Sequence, residues 1–156
     1  MAICTLDELA VALPRGARLL GLDLGSKTIG LALSDPGLMV ASPIDTIRRS
    51  KFTKDAETLL HVIADHRVGG LVIGLPVNMD GSEGPRCQST RQFATNLLGK
   101  TEIPIAFWDE RLSTAAVERI LIGEADMSRK KRGQVVDQMA AAYILQGALD
   151  ALAHRR

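Results

Sequence analysis

The stretch RLLGLDLGSKTIGLALSDPG, residues 18–37, decides the fold. Two apolar runs, 18–24 and 28–33, are separated only by Gly25-Ser26-Lys27, and the second closes on Ser34-Asp35-Pro36-Gly37. Runs so close in sequence read as an antiparallel hairpin. A third strand over 38–47 continues the meander. One residue is out of character. Asp23 stands between Leu22 and Leu24, although aspartate is a poor strand former and an uncompensated buried carboxylate is costly. Either backbone amides or an arginine hold it, or it is kept for chemistry.

Downstream, Ala56, Leu59, Leu60, Ile63 and Ala64 fall at helical spacing and predict a helix over 51–66, capped by Ser50 or Thr53. The run GLVIGL at 70–75 lacks alternation, as does a strand buried on both faces. Pro76 ends it. The turn-rich loop NMDGSEG at 78–84 leads to Pro85, which suits the first turn of a helix ending near residue 98. A short buried strand over 103–108 follows. A helix over 114–122 with Ser113 as cap, an irregular stretch over 123–133 and a helix over 134–153 complete the chain. Three strands followed by alternating helix and strand define an α/β class, a five-stranded mixed sheet flanked by helices. Residues 1–17, with Pro14 and Gly16 near their end, read as a short amphipathic extension of a domain over 18–153.

A chain of 156 residues suits one domain with a single core. Its 46% hydrophobic content is too high for wholesale disorder. A net charge of +1 neither favours nor excludes nucleic acid, because a balanced total can hide a basic patch. Aromatic residues at 3% speak against a single-strand binder that stacks bases on rings. Cys4 and Cys87 show no CxxC spacing and no Cys/His cluster, which disfavours zinc and fits reduced thiols. No apolar run approaches the ~20 residues that span a bilayer. Asp7 and Glu8 stand where a signal peptide would be positive. A soluble, cytoplasmic protein is expected.

Two further acidic positions resemble Asp23 in being out of place. Asp137 lies in the apolar helix VVDQMAAAYIL, with Ala140, Ala141, Ile144 and Ala148 at spacings that share its face. Small residues there let the helix approach the sheet, so Asp137 is expected to point towards it. At the end of the strand over 103–108 stand Asp109 and Glu110, and strand ends are where open α/β sheets build sites. Alternation alone does not choose between them. No histidine accompanies these carboxylates. An oxygen-only cluster suits Mg²⁺ or Mn²⁺, and two such ions support phosphodiester hydrolysis. The run Arg129, Lys130, Lys131 and Arg132 would be a solvated loop in isolation. Beside a metal site it would hold a phosphate backbone, extended by Lys27, Arg86 and Arg111.

Four blocks, LLGLDLGSKTIGLALSD, VIGLPVNMDGSEGPR, WDERLSTAAVERIL and VVDQMAAAYIL, resemble in order and spacing the YqgF family, also called RuvX, bacterial nucleases associated with pre-16S rRNA. The resemblance covers about residues 18–152. It implies an RNase H-like fold related to the RuvC-type Holliday-junction resolvases. It also places the family's acidic positions on Asp23, Glu110 and Asp137, choosing Glu110 over Asp109. The implied activity is metal-dependent endonucleolytic processing of the 5′ end of pre-16S rRNA, with branched DNA as the alternative substrate. The implied partners are therefore RNA or branched DNA and the ribosome, for a monomer or a homodimer. In the expected mechanism Asp23 bridges two Mg²⁺ ions, while Glu110 and Asp137 each complete the sphere of one.

The chain departs from the family at Thr28, where many members carry Arg. RuvC-type relatives end the fourth strand with a carboxylate, whereas this strand ends Gly-Leu-Pro, so the second ligand is expected from the fifth strand. Two other readings stay open. The Asp-x-Gly-Ser-Lys hairpin also resembles the phosphate-binding hairpin of actin-like ATPases, which need two such domains around their nucleotide. A non-catalytic ribosome-assembly or nucleic-acid-binding factor would keep the same surface without cleavage.

Overall fold

The computed structural model describes residues 3–112 and 129–154, with side chains described for 3–111 and 138–154. The hairpin forms as expected from β1 (Arg18–Leu24) and β2 (Thr28–Ser34), and β3 (Ala41–Arg48) extends the meander. Next come α2 (Phe52–Asp65), β4 (Val68–Leu75), α3 (Pro85–Leu98) and β5 (Ile105–Asp109), after a short α1 (Leu6–Ala12) near the start. A single 3₁₀ turn, Glu110–Leu112, follows β5, and α4 (Arg129–His154) ends the described chain. The strands form one mixed sheet in the order β3-β2-β1-β4-β5. β1 is antiparallel to β2 and parallel to β4, which is parallel to β5. The expected helix over 114–122 lies outside the described residues.

Each face of the sheet carries its own apolar layer. Leu20, Leu22 and Leu24 of β1 pack with Leu71 and Ile73 of β4 against α2 and α3. Leu19 and Val72 face the other way, against Ala141, Ile144, Leu145 and Ala148 of α4. This is the period-two alternation of a sheet covered on both sides. Close approach of α4 requires small residues beneath it. A Cβ on Gly21 would stand 2.8 Å from Leu145 Cβ and 3.0 Å from the Ala141 carbonyl.

Two expectations are corrected. The caps proposed for α2 do not form, because Lys51 is the N-cap without a side-chain bond and the Ser50 hydroxyl instead donates to Asp55 Oδ1 at 3.2 Å. The irregular stretch does not reach residue 133. α4 begins at Arg129 and runs through Gly133, so the basic run forms its first turn. Arg and Lys are good helix formers, and one interior glycine costs only about 1 kcal/mol. The extension packs against the domain. A capping box between Thr5 and Glu8 starts α1, Leu6 and Leu9 join the layer under α4, and Ile3 bridges Ile105 of β5. Leu9 is fully buried, and its side chain fills the space above Gly70. Leu9→Ala is expected to destabilise the protein by about 2–5 kcal/mol, read as a lower midpoint in urea unfolding. Among the described residues no helix is long and apolar enough to cross a membrane.

Candidate active site

Asp23 is next to last in β1 and only 8% exposed. Leu19 and Gly21 face α4, so Asp23, two residues on, shares that face. Its partner in β2 is Gly30. On the other side the parallel register pairs Leu22 with Ile73, and one further step sets Asp23 level with Gly74. The buried carboxylate is thus flanked on both neighbouring strands by residues without side chains.

Glu110 opens the 3₁₀ turn that follows β5. Its carboxylate leans over β4. A Cβ built on Gly74 would lie 3.4 Å from Glu110 Oε2 and would collide with Ile144 Cδ1 of α4. Gly74 therefore leaves the hollow that the Glu110 carboxylate and Ile144 share, on the face where Asp23 lies. Asp137 is on α4, one turn before Ala141, and α4 also touches the Glu110–Leu112 turn. The Asp137 side chain lies outside the described residues.

The electrostatics separate the two neighbouring acids at the end of β5. Burial pushes the Glu110 carboxyl above the ordinary glutamate range, the nearby Arg86 charge pulls it back, and Asp109 adds to the rise. The hydrogen-bonded Arg111 guanidinium holds Asp109 low. Arg111 Nε donates to both Asp109 carboxylate oxygens, at 3.0 and 2.9 Å. Its Nη1 donates to the carbonyls of Asn78 and Met79, at 3.4 and 3.3 Å. Arg111 thus braces the loop after β4. Proposed from sequence as a phosphate contact, it has its charge matched by Asp109 and its guanidinium engaged with this loop.

Lys27 is exposed in the β1–β2 turn, and Arg86 is exposed in the first turn of α3. Arg129, Lys130, Lys131 and Arg132 lie in the first turn of α4, with side chains outside the described residues. One cation was missed by sequence reasoning. Arg49, just after β3, is half-buried beside the β1–β2 turn and donates from Nη1 to the Gly25 carbonyl at 2.6 Å. The Arg48-Arg49 pair at the end of the third strand was its only signal.

Among the described residues no three ligand-type side chains form a group; the third expected ligand, Asp137, is not among the described side chains. The donor chemistry nevertheless suits a hard divalent cation, since Asp23 and Glu110 offer only carboxylate oxygens. Cys4 and Cys87 are both free thiols, and burial raises the Cys4 thiol.

Comparison with known proteins gives this geometry a context. The RuvX family model, described as Holliday junction resolvase, matches residues 17–151. A relative from Rhodospirillum centenum is 64% identical over 97% of this chain and 83% of its own length. Another, from Paramagnetospirillum magneticum, is 66% identical over 96% of each. A third, from Rhodospirillum rubrum, is 60% identical over 100% of this chain, α1 included, and 97% of its own length. All three are provisionally named pre-16S rRNA nuclease. Among solved structures, Thermus thermophilus RuvC in complex with a Holliday junction substrate aligns with a TM-score of 0.56 at 14% identity, over 88% of this chain and 96% of that one. The yeast mitochondrial Holliday junction resolvase Ydc2 aligns at 0.52 and 11% identity, over 97% and 87%. These likenesses show an RNase H-like fold. The chain belongs to the RuvX family, a family of phosphodiester-hydrolysing enzymes.

Proposed function

We propose that this protein is a divalent-metal-dependent endonuclease that processes the 5′ end of pre-16S rRNA in the cytoplasm. The observation that carries the reading is that buried Asp23, near the end of β1, and Glu110, whose carboxylate lies by the bare backbone of Gly74, belong to the same face of the sheet. Carboxylate oxygens on one face of the sheet are the donors that a hard divalent cation prefers. Asp23 and Glu110, with Asp137 from α4, would hold Mg²⁺ or Mn²⁺. When bound, such ions polarise the phosphate and stabilise the departing oxygen.

The remaining work falls to side chains. Arg86 helps to keep Glu110 ionised, because its charge opposes the upward push of burial. Lys27, Arg86 and the basic first turn of α4 supply cations for the sugar-phosphate backbone. The Asp109–Arg111 pair holds the loop after β4 beside the carboxylates. The family description favours branched DNA as the second substrate.

One assay tests both substrates. The protein is incubated with a 5′-extended 16S precursor RNA or a four-way DNA junction at equal Mg²⁺, with and without chelator. Site-selective cutting of the RNA that disappears with chelator is expected. Preferential junction cutting shifts the reading to a resolvase. Absence of cutting on both substrates with Mg²⁺ and with Mn²⁺ removes the catalytic reading altogether.

A further inference from the structure

Beside the carboxylates, on the other side of the β1 terminus, lies an open cleft of about 250 Å³. Three separate segments wall it. Gly25 and Ser26 come from the β1–β2 turn, Arg49 follows β3, and Arg86, Ser89 and Thr90 come from the first turns of α3. Leu24 at its floor directly follows Asp23 in sequence. Arg86 belongs to this cleft and also acts electrostatically on Glu110, so the cleft lies within electrostatic reach of that carboxylate.

Charge sets this cleft apart from its surroundings. Arg91 and Arg111 are each matched by a carboxylate, Glu83 and Asp109 respectively. Among the described residues Arg49 has no ion pair, and Arg86 acts electrostatically on Glu110 without a salt bridge of the kind that Arg91 and Arg111 make. The first turn of α3 contains no acidic residue either, so the positive end of its dipole adds to the two guanidinium charges. Arg49 is also held in place. Its Nη1 donates to the Gly25 carbonyl at 2.6 Å, its backbone N–H donates to the Lys27 carbonyl at 2.8 Å, and its guanidinium lies 5.6 Å from the centre of the Phe93 ring. One of its five N–H donors is spent on Gly25. A planar cation fixed this way, with hydroxyls of Ser26 and Ser89 nearby, suits a phosphodiester.

We propose that this cleft is a phosphate subsite. It seats a backbone phosphate of the substrate strand flanking the one cut beside Asp23 and Glu110, and Arg49 is its positioning residue. The assignment rests on the nuclease reading and adds to it a fixed register between strand and site.

The test uses the full chain with chelator, so that binding is read without cleavage. The probe is a fluorescein-labelled 16S precursor RNA, followed by anisotropy across a salt series. Arg49→Met keeps an unbranched stem over Phe93 and removes the charge. It is expected to weaken binding several-fold and to make the slope of log K against log salt shallower by about 0.7, one single-strand phosphate contact. Arg49→Lys should retain most of the slope. Arg48→Met, the same charge change on the exposed neighbouring residue, should leave it unchanged. A scan of single methylphosphonate linkages through the probe gives a second readout that needs no protein variant. One linkage flanking the cut should weaken wild-type binding, and it should cost little extra in Arg49→Met. Equal slopes for Arg49→Met and Arg48→Met, or a scan without a sensitive flanking linkage, overturns the subsite while leaving the nuclease reading in place. Failure of the wild type to bind or cut any nucleic acid overturns both.

Discussion

Asp23→Asn is expected to abolish cleavage, by on the order of 10³-fold or more, while the protein folds as before. The residue is 8% exposed near the end of an apolar strand, so its shape must be preserved, and asparagine does that. What disappears is the negative charge. Asparagine matches aspartate in volume and keeps one carbonyl oxygen as acceptor, so the melting temperature should stay close to that of the wild type. Metal affinity should fall together with the rate, because a neutral amide oxygen is a weaker ligand for a hard cation than an ionised carboxylate. Single-turnover cleavage, circular dichroism and calorimetric Mg²⁺ titration on the same preparation separate the three effects. Cutting at the wild-type rate would remove Asp23 from the chemistry.

Gly74→Ala should produce the second large effect, although it alters no charged group. The added methyl would collide with Ile144 Cδ1 and lie 3.4 Å from Glu110 Oε2. Ile144 is fully buried under α4, so overpacking should cost about 1–3 kcal/mol. Ile144 presents only the end of a flexible side chain, whereas Glu110 must hold its carboxylate in one place to act with Asp23. Metal affinity and cleavage should each drop by about 10- to 100-fold, as when a ligand's support is disturbed. The double variant Gly74→Ala/Ile144→Val distinguishes the two effects. It should regain stability in urea without regaining activity. Recovery of both assigns the loss to packing alone, and Gly74 then has no part in placing Glu110.

The sheet was legible because its strands follow simple rules: an apolar hairpin with a three-residue turn, then a run too uniformly apolar for anything but a doubly covered strand. Asp23 was legible for the opposite reason, as a charge in that hairpin. Glu110 was not separable from Asp109 by alternation, because β5 ends at Asp109 and the next residue already belongs to a 3₁₀ turn. What distinguishes the two is the Arg111 fork on Asp109, a pairing that emerges only once the turn is built. The start of α4 was placed five residues late because Gly133 read as a breaker, and a 26-residue helix absorbs one glycine. Leu9 gave no warning that it packs above Gly70, a contact between segments far apart in the chain. Arg49 was invisible for the same reason. Its cleft exists only where residues near 25, 49 and 86 meet.

The bridge from Ile3 to Ile105, with the Cys4 N–H donating to the Ile105 carbonyl at 2.9 Å, bears on how this molecule can assemble. It occupies the outer margin of β5 with the protein's own chain. At the opposite margin, β3 carries Pro43, which has no N–H to donate, and the β2–β3 pairing shifts register nearby. Neither rim of the sheet therefore offers a clean ladder for a foreign strand. Self-association would have to proceed through helices or loops, which keeps the strand ends bearing Asp23 and Glu110 clear of sheet-to-sheet polymerisation.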